Sequence, residues 1–237
     1  MTRRKILLIQ FRTNQKVIQQ EKRAFLNCLS KNNVEFKTVN IFNDDFFWNN
    51  PRKVSNLFSH IILGGSSEFG LGDETDRPEE KKFISKRVSN LINFLINSDR
   101  SLLGICFGMH LIAYLQGVKI HRPLEKREFG TIRVFLTQEG TSDYLFKDIG
   151  HNSFLANSSH IESLASLPKH FIHLAYTKNC PIVGYRVKNN IYGLQFHPEL
   201  TKNRFLERIR LTNLKNKKQL SLKVVRTTQI INNFVSL

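Results

Sequence analysis

Four short strand-like runs with helical spacing between them constrain this chain more than any other feature. Lys5–Phe11 is largely apolar and reads as a buried strand of a parallel sheet. Gln15–Lys31 places Val17, Ile18, Phe25, Leu26 and Leu29 at roughly helical spacing. Glu35–Phe42 alternates in part and reads as a second strand, Val54–His60 as a short helix, and Ile61–Leu63 as a third strand that Gly64-Gly65-Ser66-Ser67 breaks into a loop. Glu68–Glu80 is charged and contains glycine, as a surface loop or lid would. Lys82–Asn97 is an amphipathic helix by spacing, Ser101–Cys106 a buried strand, and Gly108–Gln116 a helix that Gly117 ends. This β-α-β-α-β-α-β-α order predicts an α/β fold: a mainly parallel, flavodoxin-like central sheet flanked by helices. From Val118 to Phe196 the chain is rich in strands instead (Val118–Pro123, Gly130–Thr137, Phe154–His160, Phe171–Thr177, Pro181–Val187, Ile191–Pro198), and antiparallel additions to the sheet are expected there. A helix near Lys202–Asn213 and a basic stretch ending in apolar residues complete it. With no repeat and no low-complexity linker, residues 1–237 read as one domain, with a core over about 5–200 and a basic C-terminal extension over 201–237.

The bulk numbers exclude several classes. Hydrophobic residues at 41% and charged residues at 23% are ordinary for a soluble globular protein. No apolar run approaches the ~20 residues that span a bilayer. The basic start, Met1–Lys5, is followed by an apolar stretch, Ile6–Ile9, shorter than the about 7–15 residues of a signal h-region. A cytoplasmic protein without membrane contact is expected. Three cysteines, Cys28, Cys106 and Cys180, do not make a disulfide framework, and none of the Cys or His spacings suits zinc, so neither metal nor cofactor is expected. The net charge of +17 raises nucleic acid or an acidic protein as partners. The basic residues are scattered apart from modest clusters at Arg3–Lys5, Lys81–Arg87 and Lys202–Lys223, and no nucleic-acid motif accompanies them. Nucleic acid is therefore not expected, and the charge reads as solvated or as a docking surface for an acidic protein.

Two short patterns carry chemistry. Gly104-Ile105-Cys106-Phe107-Gly108 joins a buried strand to a helix. A nucleophile on such a tight turn is pushed out of the sheet edge, and small residues two before and two after it let the backbones approach. The helix N-terminus favours a thiolate and developing negative charge. By itself the pattern fits an inert buried cysteine equally well. The second pattern is Gln195-Phe196-His197-Pro198-Glu199 at a strand end. His197 and Glu199 are two apart, so on an extended segment they point to one side, and Pro198 resists helix formation. A carboxylate behind a histidine fixes its tautomer and stabilises the imidazolium, which can then exchange a proton with a thiol. Of the eight histidines, His197 has this context.

Together, GICFG and YGLQFHPEL resemble the class I, triad-type glutamine amidotransferases, and the γ-glutamyl hydrolases and peptidases that share their pattern. Ile61-Ile62-Leu63-Gly64-Gly65 resembles the family's oxyanion loop, and Ser159-His160-Ile161-Glu162 with Leu167-Pro168 its S-H-G-D and L-P segment; the likeness covers roughly Lys5 to Leu200. The resemblance implies Cys106 as nucleophile forming a γ-glutamyl thioester, His197 as general base and acid, and Glu199 as its orienter. It also implies the N–H groups of Gly65 and Phe107 as oxyanion donors, and His110, His160 and Ile161 near the substrate, with glutamine or another γ-glutamyl compound as that substrate. Four positions depart from the family: His110 stands where a glutamine is common, Ser66 follows Gly65 in place of proline, and Ile161-Glu162 replaces Gly-Asp. His110 reads either as a substrate contact or as a helix residue packed under the elbow. Roughly 38 residues follow Glu199, fewer than the about 50 of a small domain, so any ammonia-accepting synthase is expected to be a separate protein. The alternatives are a stand-alone γ-glutamyl hydrolase or peptidase with the same triad, and a non-catalytic regulatory protein.

Overall fold

In the computed structural model, which describes residues 3–30, 32–212 and 222–237, nine strands form one mixed sheet. Its parallel half uses β1 (Arg4–Gln10), β2 (Val34–Asn40), β3 (His60–Leu63), β4 (Ser101–Ile105) and β11 (Ile191–Leu194), in the order β2-β1-β3-β4-β11. Beyond β11 the sheet continues with β10 (Gly184–Val187), β9 (Phe171–Tyr176), β6 (Glu128–Leu136) and β7 (Ser153–His160), each antiparallel to its neighbour. The expected α/β architecture with antiparallel additions is therefore present. One strand departs from the expectation: Ile191–Leu194 lies parallel beside β4, with Gly193 opposite Gly104 and Leu194 opposite Ile105. Val118–Pro123 contributes only the short β5 (Ile120–His121), which pairs outside the main sheet with β8 (Ser163–Leu164).

Alternation along β1 divides the core into two layers. Leu7 and Ile9 pack with the apolar stripe of α3 (Pro78–Asn97) and with α4 (Phe107–Leu115). Ile6 and Leu8 pack on the other face with Phe25, Cys28 and Leu29 of α1 (Gln15–Leu29) and Ile230, Ile231 and Phe234 of the final helix, Thr228–Phe234. Local chemistry sets the helix ends. The Asn14 side chain accepts from the N–H groups of Lys16 and Val17 at the start of α1. Pro51 opens α2 (Pro51–Leu57) and Pro78 opens α3, each a few residues earlier than apolar spacing alone indicates. Gly117, at φ 83, ends α4. Glu68–Glu80 is only partly a surface loop, since Phe69–Gly72 is buried.

The core also extends past residue 200. After α5 (Gln138–Ser142), α6 (Lys202–Thr212) packs Phe205 and Ile209 against Ala24 and Leu200. The final helix, α7, is pinned to β1 where Arg4 Nη1 donates to the Val235 carbonyl at 2.6 Å. The basic cluster over Lys202–Lys223 falls partly outside the described residues. Among the described residues, no helix is long and apolar enough to cross a membrane.

Candidate active site

Three adjacent parallel strands, β3, β4 and β11, end side by side, with Leu63 opposite Gly104 and Ile105 opposite Leu194. The carboxyl ends of such strands are where open α/β sheets build sites. The chain leaves β3 as Gly64-Gly65, leaves β4 as Cys106, and leaves β11 as Gln195-Phe196-His197. Residues distant in sequence thus meet at one sheet edge.

The turn after β4 is strained and tightly enclosed. Cys106 has φ 53 and ψ −107, a conformation worth about 1–3 kcal/mol of strain in a non-glycine residue. Its N–H donates to Leu194 O at 2.7 Å and its carbonyl accepts from the His110 N–H at 3.1 Å. A Cβ on Gly104 would stand 2.5 Å from the Gly108 carbonyl carbon, and one on Gly108 would stand 2.3 Å from Leu63 O. Those contacts explain why both flanking positions are glycine. Cys106 sits at the N-cap of α4, with Phe107 as its first residue.

His197 and Glu199 occupy the facing turn. The His197 Nδ1–H donates to Glu199 Oε1 at 2.8 Å, so Nε2 is the ring nitrogen that Glu199 leaves unengaged. Asn157 on β7 fixes this turn: its carbonyl accepts from the His197 N–H at 2.8 Å, its Nδ2 donates to Leu200 O at 2.8 Å, and its Oδ1 accepts from Thr131 Oγ1 at 2.8 Å. Gly65 closes the third side. A Cβ there would lie 2.8 Å from His197 Cε1 and 3.4 Å from Cys106 Cβ. Cys106, His197, Glu199 and Gly65 are therefore brought together, and Cys106, His197 and Glu199 are all buried.

Burial and charge compete at each of these groups. Burial alone raises a thiol, but hydrogen bonding and charge from His197, with help from His110 and Arg12, bring Cys106 below its ordinary value. Burial lowers an imidazole, yet the Glu199 charge and the contact with Cys106 push His197 up to about 9. Burial also raises Glu199, and the His197 and Arg208 charges outweigh it and hold the carboxyl below its usual range. The three shifts favour a thiolate beside an imidazolium backed by a carboxylate, the electrostatic arrangement of an activated nucleophile. By contrast, burial pushes Cys28 up to about 12 and Cys180 up to about 11.

A cavity of about 610 Å³ opens in front of Cys106, lined in part by Phe107, His110, His160, Ile161 and Glu162. His110 lies under the elbow and also borders the cavity. Its Nε2 donates to Gln195 Oε1 at 2.6 Å and its Nδ1 is 3.7 Å from Glu162 Oε2. His160 has both ring nitrogens engaged, Nδ1 at 2.9 Å from Glu162 O and Nε2 at 3.2 Å from Glu128 Oε2. Ile161 is half exposed at the cavity wall. Glu162 anchors the 66–72 loop: it accepts from the Leu71 and Gly72 N–H groups at 3.0 Å and from Arg122 Nε at 3.2 Å. Burial opposes its charge, and His110 and the two backbone N–H groups overcome that opposition, so its carboxyl falls to about 2.

Sequence reasoning missed Arg12, Asn157 and Arg208. Arg12 follows β1 directly, so the rule that sites form at strand ends points to it. Nothing in the local sequence marks Asn157 or Arg208, whose importance comes from what β7 and α6 pack against.

A family model described as "Glutamine amidotransferase class-I" matches residues 17–213, and the chain belongs to that family of enzymes. It is 37% identical over 159 residues to the GMP synthase [glutamine-hydrolyzing] of Borreliella burgdorferi, a match covering 67% of this chain and 28% of that protein. It is 34% identical over 117 residues to a GMP synthase [glutamine-hydrolyzing] subunit of Methanococcus aeolicus, covering 49% of this chain and 60% of that one. The match thus spans less than a third of the longer relative. In fold, the chain is similar to a glutamine amidotransferase of Thermotoga maritima, with a TM-score of 0.74 at 16% identity over 100% of this chain and 98% of that one. It is also similar to one of Methylobacillus flagellatus, at 0.72, 14%, 99% and 95%.

Proposed function

We propose that the chain hydrolyses the γ-carboxamide of glutamine and releases ammonia, with Cys106, His197 and Glu199 as a triad. The observation that carries this reading is the convergence of Cys106, on its strained elbow, with the His197–Glu199 pair at 2.8 Å and the Gly65 backbone. In the first step the Cys106 thiolate attacks the carboxamide carbon. The oxyanion that forms is held by the N–H groups of Gly65 and Phe107; one such donor is typically worth about 2.7–4 kcal/mol. The tetrahedral intermediate collapses, His197 gives its proton to the departing nitrogen, and ammonia leaves a γ-glutamyl thioester on Cys106. His197, now neutral, takes a proton from water as the water attacks the thioester. Glutamate leaves, the thiolate and imidazolium are restored, and glutamine plus water has become glutamate plus ammonia. Glu199 keeps His197 in the correct tautomer throughout.

Ammonia released here would pass to a separate synthase; the name of the Methanococcus relative, which describes one subunit of a synthase, supports a partner of that kind. A second reading keeps the triad and changes the leaving group: a stand-alone hydrolase or peptidase of γ-glutamyl compounds. The cavity of about 610 Å³ favours it, because that is more room than free glutamine fills.

The test is a substrate panel with Cys106→Ala as control. Ammonia release from glutamine, enhanced by an acidic synthase if one is recovered with the protein, supports the first reading. Amino-acid release from γ-glutamyl dipeptides without glutaminase activity supports the second. Turnover of neither, with and without that partner, leaves a regulatory protein. Full activity in Cys106→Ala refutes both enzymatic readings.

A further inference from the structure

A second, smaller cavity of about 30 Å³ borders His197 rather than Cys106. It shares Ser66, Ser67 and Ser159 with the larger one, and its wall also includes Arg12, Arg208 and Thr212 together with apolar Leu200, Phe205 and Ile209. Two guanidinium groups therefore face one small space, and both residues are buried, Arg12 at 2% exposure and Arg208 at 6%.

Their charges are not equally compensated. Arg12 has a buried carboxylate: its Nε and Nη2 each lie 3.0 Å from Glu21 Oε1. Arg208 has one hydrogen bond, from Nε to the neutral amide oxygen of Gln20, and among the described residues no carboxylate lies within ion-pair distance of it. Glu21 and Glu199 act on it through space, but each is itself engaged, Glu21 by Arg12 and Glu199 by His197. Arg12 Nη1 and Arg208 Nη2 have no hydrogen-bond partner among the described residues. A buried ion without a partner is costly, so a guanidinium held this way calls for a counter-charge. Hydroxyl groups add donors. Ser66 Oγ already accepts from the N–H groups of Glu68 and Phe69 at 3.0 and 3.1 Å, so its own proton is free to turn toward an acceptor.

We infer that this cavity is a binding site for a small monovalent anion, a halide by size, held between the Arg12 and Arg208 guanidinium groups. The volume decides the class. A water-sized particle needs about 10–15 Å³ of such space, so the cavity has room for a monatomic ion with a water beside it and favours a halide over a bulkier tetrahedral oxyanion such as phosphate. Exposed Ser67 at its rim gives an entry path. A bound anion would stand against His197 and stabilise its protonated form. That last effect rests on the proposed chemistry; the site itself does not.

Crystals of the full chain soaked in sodium bromide, measured at the bromine absorption edge, test the site directly. The expected result is an anomalous peak within hydrogen-bond distance of both guanidinium groups, absent in Arg208→Met. In solution, bromide should raise the melting temperature of the wild type by about 3–6 °C per tenfold increase above its dissociation constant. Sodium gluconate at equal ionic strength should not, and Arg208→Met should respond to neither. A bromide-soaked wild-type crystal with no anomalous peak in this cavity, only an ordered water, overturns the inference even if Arg208→Met does not fold, as does equal stabilisation by gluconate. Glutaminase activity in chloride and in gluconate is read separately. A bromide peak in a protein without turnover keeps the site and refutes the catalytic proposal, and turnover without a peak does the reverse.

Discussion

Gly65→Ala tests the proposed oxyanion loop most sharply, because one methyl group there has a defined collision. The added Cβ would stand 2.8 Å from His197 Cε1, where carbon atoms sit comfortably at about 3.5–4.0 Å, so ring or loop must give by about 0.7–1.2 Å. The ring is held by the 2.8 Å bond to Glu199 and its backbone by Asn157. The loop is held behind by the Gly108 N–H donating to Gly64 O at 3.2 Å. Neither side yields freely, so part of the shift falls on the Gly65 N–H and part on His197. Displacement of about 1 Å at a reacting group costs about 10²-fold, and loss of one oxyanion donor costs about 10²–10³-fold. We expect kcat/KM for glutaminase activity to fall by about 10²–10⁴-fold. Overpacking should destabilise the fold by only about 1–3 kcal/mol, so circular dichroism should report a folded protein at assay temperature. The measurement is steady-state ammonia release by a coupled assay beside a thermal melt. A folded Gly65→Ala protein with more than about a third of wild-type kcat/KM refutes the reasoning, because a donor worth about 2.7–4 kcal/mol cannot then have been moved.

Three further outcomes follow from the electrostatics. At neutral pH a thiol-alkylating reagent should modify Cys106 selectively, since burial pushes Cys28 up to about 12 and Cys180 up to about 11 while Cys106 is lowered; mass spectrometry of the digest locates the label, and modification of Cys28 at a comparable rate contradicts the assignment. The glutaminase rate should decline as pH rises through about 9, where His197 loses the proton it gives to ammonia, and that limb should move to lower pH in Glu199→Gln, because removing the carboxylate charge removes the principal raising influence on His197; a limb that stays in place refutes the role given to Glu199. Glu162→Ala should lower stability by at least about 2 kcal/mol, since it leaves the Leu71 and Gly72 N–H groups unpartnered, and should speed proteolysis within 66–80. The Glu162 contribution follows from its depressed value: it is present above the ordinary carboxylate range and is lost as pH falls toward about 2, so the mutant's melting temperature should vary less with pH over that window.

The parallel half of the fold was legible because strands buried on both faces are written as continuous apolar runs and their helices carry a separate periodicity. GICFG and QFHPE were legible for a different reason: a strained elbow and a stiff His-Pro-Glu turn each need particular residues at fixed spacing. What sequence could not convey was long-range pairing. Ile191–Leu194 looks like the antiparallel strands before it, and its place beside β4 depends on which edge is free when the sheet closes. Glu68–Glu80 looks solvated by composition, yet Glu162, ninety residues away, draws Leu71 and Gly72 inward. Arg208 reads as one of many surface cations until α6 folds it against Gln20.

The position of β11 also bears on how the chain is made. The strand and helix on either side of Cys106 are complete by residue 117, but His197, and the Leu194 carbonyl that holds the Cys106 N–H, arrive only after the excursion through β5 to β10, when β11 takes its place along β4. A chain that stops short of Ile191 therefore leaves β4 as a bare sheet edge, the kind of surface that recruits other chains, and leaves Cys106 without the neighbouring His197 imidazole that favours its thiolate. On the proposed mechanism, the strand that completes the parallel sheet is also the strand that brings His197 to Cys106.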